Sequence, residues 1–401
     1  MKKIFFGWIL IIPLLISVAP RHQLHNIFKP EPVLTEAISW KSIAAGGSHS
    51  LGIKSDGSLW AWGDNAYGQL GDGTKENKHS PIQISESKNW IMVSAGNMHS
   101  LALKSDGTIW MWGLSDYKQV ATKNSAVTLV PVQIGGDTDW AMISAGQGYN
   151  LALKSDGHLW AWGNNKYGQL GNGTTTNSIT PLRVEKRAQW KYICAGCTHA
   201  FGIKIDGTLW AWGYNVYGKL GDGTSENKLE PKQIGITTKW MKGFAGVDCS
   251  LAIRSDSSLW SWGYNSFGQL GYEIHSEPVG FLAVEYGEQV GKQQMIPAEI
   301  KTNDNSKWLS ITAGNGHSLA VKSDSSLWAW GNNFFGELGV GTNLNSSSPL
   351  NVEGKWITIS TGTFHCIGIK ADGSLWSWGY NRSGQLGDGT TASRTAPVKV
   401  E

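Results

Sequence analysis

The stretch WKSIAAGGSHSLGIKSDGSLWAWGDNAYGQLGDGT, Trp40 to Thr74, decides the fold. It reads as three short strands. The first ends in the small residues Ala44, Ala45 and Gly46, the second is SLGIK, and the third is SLWAWG, with Asp56 and Gly57 supplying the turn between the last two. In the third strand Trp60 and Trp62 face one way, Leu59 and Ala61 the other. A strand apolar on both sides needs packing on both sides. A glycine-rich loop follows, and SPIQI, Ser80 to Ile84, offers a fourth strand whose proline suits a sheet edge.

This unit recurs, and recurrence sets the architecture. W-x-W-G begins at Trp60, Trp110, Trp160, Trp210, Trp260, Trp328 and Trp376, with a further tryptophan 20 residues before each, at Trp40, Trp90, Trp140, Trp190, Trp240, Trp308 and Trp356. These account for 21 of the 22 tryptophans, leaving only Trp8 outside the pattern. Four short antiparallel strands, repeated seven times without helical periodicity, predict an all-β, seven-bladed β-propeller over residues 40–401. Inner strands converging on a narrow axis favour small side chains, and Gly46, Gly96, Gly146, Gly196, Gly246, Gly314 and Gly362 share one repeat position. The ring is expected to close through APVKVE at the C-terminal end or through PEPVLTE before Trp40, both of which look like fourth strands.

At this point IAAGGSHSLGIKSDGSLWAWGDNAYGQLG resembles a repeat of the regulator of chromosome condensation family. The resemblance implies the seven-bladed propeller and little about activity, because the fold hosts several functions. It also brings in the plant ultraviolet-B photoreceptor, a member that uses clustered tryptophans. The G-W-R-H-T motif associated with that function is missing here, and three tryptophans in every blade read as core packing.

With 51 glycines, 22 tryptophans and only 16% charged residues, the composition fits a loop-rich all-β chain. The net charge of +3 and the lack of a long Lys/Arg block give no reason to expect nucleic acid as a partner. GQLGDGT lacks the P-loop lysine and a following helix, so it is no phosphate cradle. The place of Asp72 is held by Asn172, Tyr272 and Val340 in sister repeats, so it reads as a structural turn and not a calcium loop. His49, His99, His199, His317 and His365 share one position, replaced by Tyr149 and Cys249 in the remaining blades. They are expected to hold turns by hydrogen bonds, since residues a blade apart do not converge as a metal or catalytic site does. No catalytic triad, paired acids, HExxH or dinucleotide fingerprint emerges; no enzymatic activity, cofactor or metal is expected.

Residues 1–19 carry Lys2 and Lys3 ahead of the apolar run IFFGWILIIPLLISVA, which suits a signal peptide or an uncleaved membrane anchor. Either places the chain outside the cytosol, secreted or anchored, with membrane contact only through residues 4–19; residues 20–39 read as a linker. Cys194 and Cys197 form a lone CxxC and, with Cys249 and Cys366, read as small strand and turn residues, with a disulfide open to an exported chain.

Specific function is expected where the repeat breaks. Gly113–Ile134 in blade two has Lys118, Val120 and Ala121 for the usual Gly, Leu and Gly, and blade five carries the long excursion Gly271–Ile300. Tyr117, Lys118, His275, Phe281, Tyr286 and Lys292 are the candidate partner-binding residues, with Phe281–Lys292 read as a projecting hairpin turning near Gly287. Both segments join strands three and four, on the face that bears the histidine turns. The expected function is a non-enzymatic protein-interaction scaffold. The resemblance implies two alternatives: guanine-nucleotide exchange on a Ran-like small GTPase, and an exported inhibitor of β-lactamases.

Overall fold

Each repeat folds into one sheet. The computed structural model describes residues 38–115, 126–273, 293–301 and 307–401, and within them 28 strands form seven four-stranded antiparallel sheets. In blade one, β1 (Trp40–Ala45), β2 (His49–Lys54), β3 (Leu59–Gly63) and β4 (Lys78–Gln83) pair in chain order. The Asp56–Gly57 turn is set by chemistry: Asp56 Oδ1 accepts Ser58 N at 3.1 Å and Ser58 Oγ at 2.6 Å, and Gly57 takes φ +78°. The fourth strand starts two residues before the expected Ser80 and ends one before Ile84, because pairing with β3 continues past the proline to Lys78.

Among the described residues no single central core forms. Apolar side chains fill seven layers, each between adjacent blades. Leu51, Ile53, Leu59 and Ala61 of blade one pack against Trp90, Val93, Ala102 and Trp112 of blade two, whereas Trp62 packs backwards against Ile367, Ile369 and Val400 of blade seven. The two faces of LWAWG are therefore divided between two neighbours, as its alternation requires. A buried tryptophan N–H usually finds a hydrogen-bond partner. Trp112 Nε1 donates to Gln69 O in the exit loop of blade one at 2.8 Å, and Trp62, Trp212, Trp262, Trp330 and Trp378 make the same backward bond. Gly71 is the glycine this contact demands: it has φ +80°, and a Cβ there would lie 2.7 Å from Trp112 Nε1.

The first tryptophan of each repeat packs against one or both tryptophans of the third strand; in blade one Trp40 lies edge-on, 6.2 Å from Trp60 and 5.7 Å from Trp62. Over the outer two rings sits a cation from the end of the second strand. Lys54 lies 4.9 Å from the Trp40 ring and 3.8 Å from Trp60, and Lys104, Lys154, Lys204, Arg254, Lys322 and Lys370 repeat the arrangement in the other blades. Ring faces carry negative potential, so each cation is held over two of them.

Blade seven is built from Trp356–Thr361, His365–Lys370, Leu375–Gly379 and Arg394–Val400. The C-terminal segment is thus its fourth strand, as expected, and the sheet of blade one is complete without a borrowed strand. PEPVLTE lies outside the described residues. The ring closes by packing and hydrogen bonds: Ser360 Oγ accepts Ala45 N at 3.0 Å, Thr363 N donates to Gly46 O at 3.2 Å, and Gly389 N donates to His79 O at 2.9 Å.

Candidate interaction face

The turn between strands one and two and the loop between strands three and four emerge on one side, joined by Asp64 N donating to Ser48 O at 2.8 Å. This side is the loop face. The histidines lie just beneath it, and their role differs from the expected turn support: they bridge neighbouring blades. His49 Nε2 lies 2.9 Å from Ser100 Oγ of the next blade, His199 Nε2 3.0 Å from Ser250 Oγ, and His365 Nε2 2.9 Å from Ser50 Oγ across the closing seam. His99 meets the Asn150 amide at 2.8 Å, and His317 meets Cys366 Sγ at 3.4 Å. Ser100 Oγ uses its own proton on Gln69 O at 2.7 Å, so it accepts from His49, which fixes the Nε2–H tautomer. A relay results, from His49 through Ser100 to the carbonyl that also receives Trp112. Burial keeps the rings neutral, lowering His49 and His365 to about 3, His99 and His317 to about 4, and His199 well below its ordinary value. A bridge between side chains 51 positions apart becomes visible only when each repeat is read against the next.

The loop that resembled a binding motif is filled by its own groups. Asn65 Nδ2 donates to Asp72 Oδ1 at 2.9 Å and to Thr74 O and Glu76 O at 3.1 Å each, and Asn65 Oδ1 accepts Leu70 N at 3.0 Å. Asp72 also accepts Thr74 N at 2.9 Å and lies 3.6 Å from Lys78 Nζ. It is a structural turn organised by a buried asparagine, with Asn165, Asn215, Asn265, Asn333 and Asn381 as counterparts. Blade two has Ser115 there, and its loop after that point, 116–125, lies outside the described residues. So do Tyr117, Lys118, His275, Phe281, Tyr286 and Lys292, all six of the sequence-predicted residues, and the hairpin expected over Phe281–Lys292.

The loop face carries a feature that the sequence reading missed. Aromatic side chains from the loop tips pair across successive seams. Tyr167 meets Tyr214 at 4.4 Å, Tyr217 meets Tyr264 at 4.5 Å, Phe267 meets Phe334 at 6.3 Å, and Phe335 meets Tyr380 at 4.8 Å and Phe364 at 5.4 Å. An arc of rings therefore runs from blade three to blade seven. Several remain open to solvent: Phe334 is 61% exposed, Tyr217 38% and Phe335 37%. Rigid, partly exposed aromatics are the residue type that anchors protein interfaces. Their signal in the sequence is the aromatic at one loop position in Tyr67, Tyr117, Tyr167, Tyr217, Phe267 and Phe335.

The central channel, of about 580 Å³, offers less. Its hydroxyls serve the seams: Ser94 Oγ accepts Ala145 N and Ser144 Oγ accepts Ala195 N, each at 2.9 Å. The four cysteines are free thiols. Cys194 and Cys197 are unjoined, Cys197 Sγ instead donating to Gln147 Oε1 at 2.6 Å, and burial pushes both up to about 11, away from reactivity.

The sequence profile of the RCC1-like domain matches residues 19–279, and that of the regulator of chromosome condensation (RCC1) repeat matches residues 256–321, 324–369 and 372–401. Among curated proteins, the X-linked retinitis pigmentosa GTPase regulator homolog of Caenorhabditis elegans is 34% identical over 67 residues, which are 17% of this chain and 5% of that protein. Ultraviolet-B receptor UVR8 of Arabidopsis thaliana is 39% identical over 61 residues, 15% of this chain and 14% of that receptor. The matched stretches thus span a small part of both relatives. Among solved structures, Prp20p from Saccharomyces cerevisiae, described with its binding properties to Gsp1p and histones, superposes with a TM-score of 0.75 at 22% identity, over 86% of each chain. Human WBSCR16 superposes with a TM-score of 0.74 at 19% identity, over 86% of this chain and 94% of that one. At such identities the likeness is one of fold.

Proposed function

The chain belongs to the family of RCC1-like domains, and on that footing we propose that it is a non-enzymatic interaction module whose loop face docks a protein partner. The observation that carries this reading is the aromatic arc, in which Tyr217, Phe334 and Phe335 stay exposed on a scaffold stitched at every seam. Pre-organised rings lose little conformational entropy on binding, which is what a docking surface needs. Replacing all three by serine should abolish partner capture in quantitative cross-linking while the thermal melt is kept. Unchanged capture would reject the arc. Alanine at Phe281, Tyr286 and Lys292 tests the blade-five excursion separately.

A second reading is guanine-nucleotide exchange on a Ran-like small GTPase. Its support is the fold shared with Prp20p, a protein described as binding Gsp1p. Exchange acts through a protein surface, so the lack of nucleotide motifs does not count against it. A nucleotide-release assay with purified GTPases separates the readings. The apolar leader supports an exported module, cleaved or anchored, for which N-terminal sequencing of the mature protein is the test.

A further inference from the structure

One repeat position is occupied by glutamine in five blades, at Gln69, Gln119, Gln169, Gln269 and Gln385, but by Lys219 in blade four and Glu337 in blade six. Both charged residues are buried, at 1% and 0% exposure. Lys219 is fully provided for. Its Nζ donates to Asp248 Oδ1 at 2.8 Å and to Val247 O at 3.0 Å, both in the first turn of the next blade. The corresponding turn beside Glu337 presents Thr363 and Phe364, neither of which carries charge. Glu337 Oε2 accepts Phe335 N at 2.8 Å, while Oε1 has no hydrogen-bond partner. Burial raises this carboxyl to about 7, as befits an acid with no counter-charge.

The residue whose N–H this carboxylate accepts belongs to an aromatic cluster. Phe335, two residues away, lies 4.8 Å from Tyr380 and 5.4 Å from Phe364, and Phe364 lies 6.4 Å from Tyr380. Phe335 is 37% exposed and neighbouring Phe334 61%, so the cluster reaches the surface. Rings near a lone carboxylate attract a cation through both ring quadrupole and charge, and a planar guanidinium stacks on such rings while donating several hydrogen bonds.

We propose that Glu337, with Phe335, Phe364 and Tyr380, forms an arginine-accepting subsite at the seam of blades six and seven, filled by an arginine side chain of the protein partner. The subsite supplies the ion pair that blade four makes internally between Lys219 and Asp248. Entry requires rotation of the exposed Phe335 ring, a fast side-chain movement. This inference rests on the loop face being a docking surface, and it specifies the chemistry of one anchor.

The test uses the full chain and the peptide acetyl-Ala-Arg-Ala-amide, with the neutral citrulline peptide as its counterpart, in calorimetric titrations at low ionic strength. The carboxyl carbon signal of Glu337 reports its protonation. The variant is Glu337→Gln, which restores the residue of the sister blades and should therefore fold; its melt verifies that. The arginine peptide is expected to bind the native chain, lower the pKa of Glu337, and lose at least about tenfold in affinity for the variant and for citrulline. No binding to the native chain, equal affinity for E337Q, or equal affinity of the citrulline peptide would each overturn the subsite. None of these results touches the interaction-module reading, which stands or falls on partner capture by the Tyr217, Phe334 and Phe335 variant.

Discussion

Tyr149 Oη donates to the backbone carbonyl of His199 at 2.6 Å, across the seam where Ala200 presents no polar side chain. At five of the other six seams a histidine meets a serine, asparagine or cysteine one blade on, as His49 meets Ser100. The longer phenol reaches past the alanine to the main chain, so two departures from the repeat compensate each other. Tyr149→His alone should destabilise the fold by about 1–3 kcal/mol, since its imidazole is left without a partner. Adding Ala200→Ser should restore much of that loss. A double-mutant cycle by urea unfolding measures the coupling; purely additive effects would show that the two sites are independent.

Stability should depend on pH through the histidine bridges. Their folded pKa values lie below the unfolded value near 6.5, with His49 and His365 near 3 and His99 and His317 near 4. The unfolded chain therefore binds more protons in acid. Stability is fully present above about pH 6.5 and declines as pH falls towards 4, by roughly 2 kcal/mol per buried histidine at pH 5. Urea midpoints at successive pH values should follow this slope, and His365→Asn should flatten it. A midpoint constant from pH 7 to pH 5 would contradict the neutral, buried rings.

Gly71→Ala should cost about 2–3 kcal/mol, because it combines a left-handed backbone with a methyl pressed into the Trp112 indole. Trp112 fluorescence and the thermal midpoint should change together. Gly135, which has φ +64° and nothing within 4 Å of a built Cβ, offers a control for the conformational part alone.

Lys370→Met retains the aliphatic stem and removes the cation 3.5 Å from the Trp376 ring and 5.0 Å from Trp356. A loss of about 1 kcal/mol is expected, with most of it recovered in Lys370→Arg. If methionine and arginine melt alike, the stem alone accounts for the contact.

Asn215→Ala removes the amide that holds Leu220 N at 2.9 Å and Thr224 O at 2.9 Å. The loop should open locally, with faster hydrogen exchange and protease cleavage over 216–227 and a loss of about 1–3 kcal/mol. Cleavage elsewhere would point to failure of the whole blade instead.

The blades were legible because one packing problem recurs: small residues at the axis, a two-sided Leu-Trp-Ala-Trp strand, and an Asp-Gly turn. The relations between blades were not, because they join side chains from different repeats. His49 and Ser100 look unremarkable within their own units. The basic residue at Lys54, Lys104, Lys154, Lys204, Arg254, Lys322 and Lys370 was in plain view, yet its place over two rings depends on strand pairing. The aromatic arc likewise emerges when the tip of one loop meets the start of the next, as Tyr217 meets Tyr264. Breaks in the repeat point to blades two and five, whereas Phe334, Phe335 and Glu337 lie on a loop that keeps the pattern and differs only in its side chains.

Every sheet is woven from one contiguous segment, and blade seven meets blade one through the same histidine–serine and tryptophan–carbonyl bonds that join blade one to blade two. The blade is thus a cassette. An entire repeat can be exchanged for another without rethreading a strand, provided the incoming one matches its neighbours at the histidine and the residue after it. Evolution and engineering face the same small vocabulary here: compatibility is decided at the seams, and the loop face is free to be rewritten one blade at a time.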